Sequence, residues 1–494
     1  MRRLVWLTVG MGLLGAGTCA AQEAPAPELS THASHVRFGV ERVTLPGGER
    51  MGLAGTSYLV DAIADGLSIG PAVYASVSGQ RGGFYTLGGE LEWRRHIGGP
   101  LGVELGFYAG GGGGGGAPQG GGLMLRPHAG VWWNVGPGSV GLSLSRVRFP
   151  NGRIDSTQLG LVATVDTAFR FVPADSQSSR VPAGDRSGLG FDRVVAVAGA
   201  YRPRSGAPLS GGAPLPATIG IVGVRAERDW GRQAYWGIEA NGAVNGRVAG
   251  YAEYLATLGV ESELIPGRFD VGARVALGTG GGGGISVGGG LLAKASIRST
   301  LHLSAGHAVQ LEAGYLDAPQ GKFRATQGSL AWVWTVDSLD GEASVPVTRM
   351  EFAGGIETVG AQRRDGQSIR ITADVLKISR FVSPQVYLSG QAQSAASGGA
   401  GGYSAGLFGV GWERPLFGSR WLASAEILAG AGGGGGVSSG GGQAQALASV
   451  GYRISPSLLV SLGAGRVQSL RGPFGSDVYA VSLAFIYGAT SGGH

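Results

Sequence analysis

Cysteine occurs once in the 494 residues, at Cys19. A chain without Cys19 has no disulfide, no thiolate metal site and no thiol nucleophile. Lysine is nearly missing too: Lys294, Lys322 and Lys377 are the only three. Charged residues make up 15% of the chain, against roughly 25% in ordinary soluble domains. No five-residue basic cluster and no basic-aromatic interleaving occur, which excludes the usual signature of a nucleic-acid partner. Beyond residue 21 no run of 18 consecutive apolar residues exists, so no transmembrane helix is expected.

What is abundant is glycine: 97 residues, about a fifth of the chain, where roughly 7% is usual. Collagen is excluded, because no Gly-X-Y period exists and proline is only 22. A hydrophobic fraction of 43% and a mean hydropathy of +0.13 are too apolar for a disordered glycine-rich linker. Glycine also disfavours helix interiors. An all-β chain that tolerates apolar surface remains.

Residues 1–21 read as a secretory signal peptide: Arg2 and Arg3, an apolar run from Leu4 to Gly17, then Cys19-Ala20-Ala21. A lipoprotein signal acylated at Cys19 is the alternative, although Ala16-Gly17-Thr18 lacks the leucine such signals carry. Residues 22–35 read as a flexible leader, with His32 and His35 on it.

The same punctuation then occurs three times. A glycine run is followed by three other residues and three more glycines: Gly110–Gly116 with Gly120–Gly122, Gly280–Gly284 with Gly288–Gly290, and Gly432–Gly436 with Gly440–Gly442. Each hairpin has an extended segment before it and two after it. A loop rich in proline, glycine and basic residues follows, then a last segment with aromatics at i and i+2: Phe169/Phe171, Trp332/Trp334 and Phe485/Tyr487. The repeat divides the chain into units 36–172, 191–336 and 349–488, linked by 173–190 and 337–348, with a tail at 489–494.

The extended segments alternate with period 2. Leu101, Val103, Leu105 and Phe107 share one face, while Gly102, Glu104 and Gly106 share the other. Such alternation suits a half-buried strand or a barrel strand between lipid and a polar lumen. The last segment places Tyr479, Val481, Leu483, Phe485 and Tyr487 on one face. This resembles the C-terminal aromatic strand of Gram-negative outer-membrane β-barrels, with the seven residues Gly488–His494 following the last aromatic. The resemblance implies an outer-membrane location reached through the secretory signal.

Counting segments leads to one large antiparallel transmembrane β-barrel of about 24 strands, within 20–26. Both termini then lie in the periplasm and the three poly-glycine hairpins outside. A barrel of that size encloses a wide lumen, and the hairpins are expected to fold over it as a pseudo-threefold lid. The functional expectation is a wide export or secretion channel for a polymer or protein cargo, working with membrane lipid and periplasmic export machinery. The alternative is a surface structural or adhesive protein whose barrel is only an anchor.

No enzyme, cofactor or metal site is expected. His302 and His307 flank a turn without a carboxylate pattern, and His128 follows Pro127 without a nearby serine or carboxylate in sequence. The glycine runs lack the strand–loop–helix setting and the Lys-Ser/Thr ending of a phosphate-binding loop.

Overall fold

The computed structural model describes residues 30–172, 180–181, 190–204, 208–231, 233–304, 306–336, 343–344 and 347–488. The signal segment, Cys19 and the tail 489–494 lie outside the described residues, as does most of both linkers.

The chain folds into three closed antiparallel barrels of eight strands each. The first consists of β1 (Ser30–Thr44), β2 (Arg50–Ala64), β3 (Leu67–Ser78), β4 (Tyr85–Gly98), β5 (Leu101–Gly113), β6 (Met124–Asn134), β7 (Gly138–Arg148) and β8 (Asp155–Phe171). After the short β9 (Arg180–Val181), the second uses β10 (Arg193–Pro203), β11 (Ile219–Trp230), β12 (Ala234–Ala243), β13 (Ala252–Ile265), β14 (Phe269–Gly281), β15 (Leu291–Ser304), β16 (His307–Asp317) and β17 (Arg324–Thr335). The two-residue β18 (Ala343–Ser344) pairs with β9. The third barrel uses β19 (Val347–Gln362), β20 (Ser368–Phe381), β21 (Val386–Ala395), β22 (Ser404–Pro415), β23 (Trp421–Gly433), β24 (Gly441–Ser455), β25 (Leu458–Ser469) and β26 (Gly475–Gly488).

The expected single barrel of about 24 strands is therefore corrected to three barrels of eight. First and last strands of each unit pair with each other: Ser30 faces Phe171, Arg193 faces Thr335, and Val347 faces Gly488. Pairing at those seams satisfies every strand edge within its own unit, so no edge is left to join the next. The wide lumen goes with the single barrel, and with it the size argument for a polymer or protein cargo. The expected leader is corrected as well. Residues 30–35 belong to β1, where His35 is buried in the lumen and the His32 ring stacks on Phe171.

Eight strands leave an interior just wide enough for side chains to fill. Toward the hairpin end the first lumen is plugged by Met51, Leu53, Tyr74, Phe84, Tyr108, Met124 and Phe149. Tyr201, Tyr251 and Phe323 anchor the matching cluster in the second barrel; Tyr403 and Phe474 anchor that of the third. Polar and charged side chains occupy the lumens beyond these plugs. The outer faces are the reverse: Leu105, Leu142, Leu159, Leu161, Ile297, Leu311, Ile427 and Leu462 all point outward and are exposed. A soluble barrel would bury this set and expose the other.

Candidate functional site

The three poly-glycine hairpins lie at one end of the molecule, opposite the barrel seams' outer termini at Ser30 and Phe171. They connect β5 to β6, β14 to β15, and β23 to β24. Gly110 is still in β5, while Gly116, Gly120 and Gly122 form the turn; Gly280 is in β14, with Gly284, Gly288 and Gly290 in the turn. Gly432 is in β23, Gly436 and Gly440 form the turn, and Gly442 is in β24. The first turn closes through Ala117 N donating to Gly114 O (3.0 Å), and Ile285 to Gly282 and Val437 to Gly434 repeat that bond.

No wide mouth exists for these hairpins to cover. Each one packs instead against a neighbouring barrel, on the loop between that barrel's third and fourth strands. The second barrel's hairpin meets the first barrel's loop, where Gly82 N donates to Gly288 O (2.8 Å). The first barrel's hairpin meets the third barrel's loop, through Gly402 N to Gly112 O (3.0 Å) and Gly401 N to Gly120 O (3.2 Å). At the remaining joint the third barrel's Gly433 and Gly434 lie on Gly250 of the second. Each joint is heterologous, and the rotation closes after three steps.

Glycine is needed at these joints for two separate reasons. Gly83, Gly114, Gly250, Gly282, Gly402 and Gly434 all have φ between 84° and 117°, a conformation that side chains rarely adopt. A Cβ would also strike backbone across each joint. On Gly250 it would sit 2.5 Å from Gly434 N, on Gly402 2.9 Å from Gly114 N, and on Gly281 2.6 Å from Gly83 N. Within each barrel the hairpin glycine abuts its own loop in the same way: Gly114 on Gly83, Gly282 on Gly250, Gly434 on Gly402. Six glycine backbones thus form an unbroken ring. Beside it three outward-facing side chains converge: Tyr85 and Tyr254 pack with ring centroids 4.9 Å apart, and the Tyr85 hydroxyl hydrogen-bonds the Ser404 hydroxyl.

The final-strand aromatics make a second contact near the opposite end. Tyr479 is exposed on the outer face, whereas Tyr487 is buried with Phe169 and Phe171 of the first barrel. Phe169 and Tyr487 have centroids 5.3 Å apart, Phe171 and Phe485 5.5 Å, and Val172 and Gly488 exchange two backbone hydrogen bonds. The first and last units are thereby fastened at both ends.

The lumens hold the densest chemistry. In the first barrel Arg126 makes a bidentate pair with Glu41 (2.9 Å for both bonds), and Arg37 reaches Glu92 (3.0 Å) and Glu104 (2.9 Å). His35 bonds Glu92 at 3.0 Å. His128 lies 3.6 Å from Glu90 and 3.5 Å from Glu92, so the expectation that no carboxylate stands near it is corrected. Those partners come from β4, which no local reading of the sequence brings beside Pro127.

Glu90, Glu92 and His128 place three ligand-type atoms within 4.8 Å of one another. They do not fit a metal ion. Arg126 Nη1 lies 3.1 Å from His128 Nδ1 and can only donate, so Nδ1 accepts and the ring's proton sits on Nε2, facing the carboxylates. Arg126 is itself pinned by Glu41, and the Arg37 guanidinium already occupies the carboxylates' other side. The cluster is an internal ion network. In the second barrel Arg274 bridges Glu239 (2.5 Å) and Glu312 (2.6 Å), while Lys294 bridges Glu239 and Glu253 (2.7 Å each). In the third, Arg349 pairs with Glu413 (2.8 Å) and Lys377 with Glu426 (2.6 Å). His302 also has a carboxylate, Asp270 at 2.7 Å; His307 packs on Trp332.

No family model matches the chain, and no curated protein matches it. Among solved structures, Pseudomonas aeruginosa OpdQ is matched at 8% identity and a TM-score of 0.21, over 93% of this chain and 98% of that one. The siderophore receptor PirA from Pseudomonas aeruginosa is matched at 10% identity and 0.26, over 93% and 80%. PirA from Acinetobacter baumannii is matched at 10% and 0.27, over 92% and 80%. Superpositions this loose carry no argument about activity, so function must be read from the barrels themselves.

Proposed function

We propose that the protein is an outer-membrane β-barrel protein whose three sealed barrels form one rigid membrane body, an anchor and scaffold and not an open pore. The observation that carries this reading is the filling of the lumens. Arg37, Arg126, Arg225, Glu90, Glu92, Glu227 and Glu253 each have at most 2% of their surface exposed. Apolar plugs sit above them, and water in an open channel would leave such groups accessible. The membrane setting is supported by the apolar outer faces, by closed barrels that leave no backbone edge for lipid to meet, and by strands of 10 to 17 residues, long enough to cross. By that reading the hairpin end faces outward, as the barrel termini face the periplasm. The scaffold needs no catalytic step and no cofactor.

Reconstitution of the purified chain in planar bilayers tests this. A scaffold gives no current steps above the lipid baseline across a range of voltages; stable open-channel steps would overturn it. A narrow gated channel is the second reading, favoured by one feature: the middle of each lumen is charged, not apolar. In that case Arg274→Met, which removes the cation between Glu239 and Glu312, raises conductance above that of the parent chain.

A further inference from the structure

The fold gathers scattered basic residues at one end. The twelve connections at the hairpin end carry eight arginine and lysine side chains against Glu49 and Asp365, an excess of six positive charges. Among the described residues, the turns at the opposite end carry Arg268 and Arg420 against Asp65. Both carboxylates within these connections are taken: Glu49 by Arg81 (2.9 Å through Nε), and Asp365 by Arg363 (3.6 Å).

Two of the remaining arginines face a common space. A cleft of about 340 Å³ opens where the second and third barrels meet, lined by Arg247, Arg364, Ser210, Leu209 and the glycine backbones of both hairpins. Its walls are fixed by main-chain bonds: Ser210 N donates to Gly284 O (2.7 Å), and Arg364 N donates to Gly436 O (2.9 Å). Gly283, Gly284, Gly434 and Gly436 have φ of 57°, 77°, 92° and 74°, so this part of the wall is bare backbone in a conformation that side chains rarely adopt. No carboxylate lines the cleft, and among the described residues none pairs with Arg247 or Arg364.

We propose that this cleft is a binding site for a phosphate group carried on a small organic body. Two guanidinium forks match the charge and geometry of a phosphate dianion, which a lone carboxylate ligand does not. The Ser210 hydroxyl supplies a neutral donor, and Leu209 with Ala213 and Ala249 supplies an apolar wall for whatever bears the phosphate. The space exceeds a bare phosphate several-fold, so the occupant is a phosphorylated headgroup or a soluble phosphate ester. The joint between the first and third barrels is built differently: there Gln119 Nε2 reaches across to donate to Gly401 O (2.8 Å).

The test uses the full chain folded in detergent micelles. One arm is equilibrium dialysis against labelled inorganic phosphate and glycerol phosphate. The other is native mass spectrometry with phosphatidylglycerol or phosphatidylcholine added to the micelles. The variants are Arg247→Gln, Arg364→Gln and their combination, with Arg153→Gln as a change of equal charge elsewhere on the same rim. Each cleft variant is expected to weaken binding about tenfold, the pair to abolish it, and Arg153→Gln to leave it within twofold. Retention of phosphatidylglycerol over phosphatidylcholine would identify a lipid headgroup as the source; phosphate esters alone would identify a soluble one. Either supports the site. Equal losses in all three single variants, or no binding in either arm, would overturn it. The cleft lies outside every lumen, so this result is independent of whether the barrels conduct.

Discussion

Replacing Gly250 with alanine separates the two demands made on the ring glycines. Its φ of 91° is a conformation for which a side chain costs about 1–2 kcal/mol. The added Cβ would also lie 2.5 Å from Gly434 N, 2.9 Å from Gly434 Cα and 3.0 Å from Gly433 C. All three are main-chain atoms, so relief requires the third barrel's hairpin to move, and overpacking of that kind costs about 1–3 kcal/mol. Together the loss is about 2–5 kcal/mol. Gly267 supplies the control: φ is 65° and nothing lies within 4 Å of its Cβ position, so alanine there carries only the conformational cost. Urea unfolding of each variant in lipid vesicles, followed by tryptophan fluorescence, measures both. Gly250→Ala should lose about 1–3 kcal/mol more than Gly267→Ala. Equal losses would refute the reasoning that close backbone approach is why glycine is needed.

Further outcomes follow from the lumens, the seam and the outer face. Arg126→Met leaves Glu41 buried without its cation and should cost about 3–5 kcal/mol, while Arg126→Met with Glu41→Leu should recover most of it, as a double-mutant cycle in urea would report. Tyr487→Ala removes the ring packed on Phe169 and should cost about 3–5 kcal/mol; chemical cross-linking between the first and third barrels should fall with it. Leu161→Arg puts a charge on the exposed outer face of β8. If that face meets lipid, stability in vesicles drops by about 2–4 kcal/mol at mid-depth, and a water-facing surface would leave it unchanged.

The strand content was legible because most strands carry period-2 segments, and the threefold repeat was legible because the glycine hairpins mark it. How the strands close was not. A hairpin between β7 and β8 reads the same whether β8 next pairs with β10 or returns to β1. That choice rests on contacts such as Ser34 with Thr167, 133 residues apart. One signal did point the right way: the stretches of more than ten residues between units are long for turns inside a single barrel. The lumen networks were hidden for a related reason. Most contributing strands show only one or two inward charges, such as Glu104 on β5, and partners on other strands become visible only when the cylinder closes. His35 carries no strand signal in the sequence because β1 begins with Ser30-Thr31-His32, a polar opening without apolar alternation.

The ring of glycines has a consequence for how the molecule can change over generations. In an assembly of three identical chains, any substitution at a joint is imposed three times at once, and a residue suited to one contact must suit all. Here the three joints are written at separate places in one chain. Each can drift alone, and a damaging change at one leaves two intact. Differences between the joints are therefore permitted: a glutamine strut at one, an arginine-lined opening at another. Carrying three barrels on one chain gives up the economy of repeating one subunit and allows a surface whose three faces need not be alike.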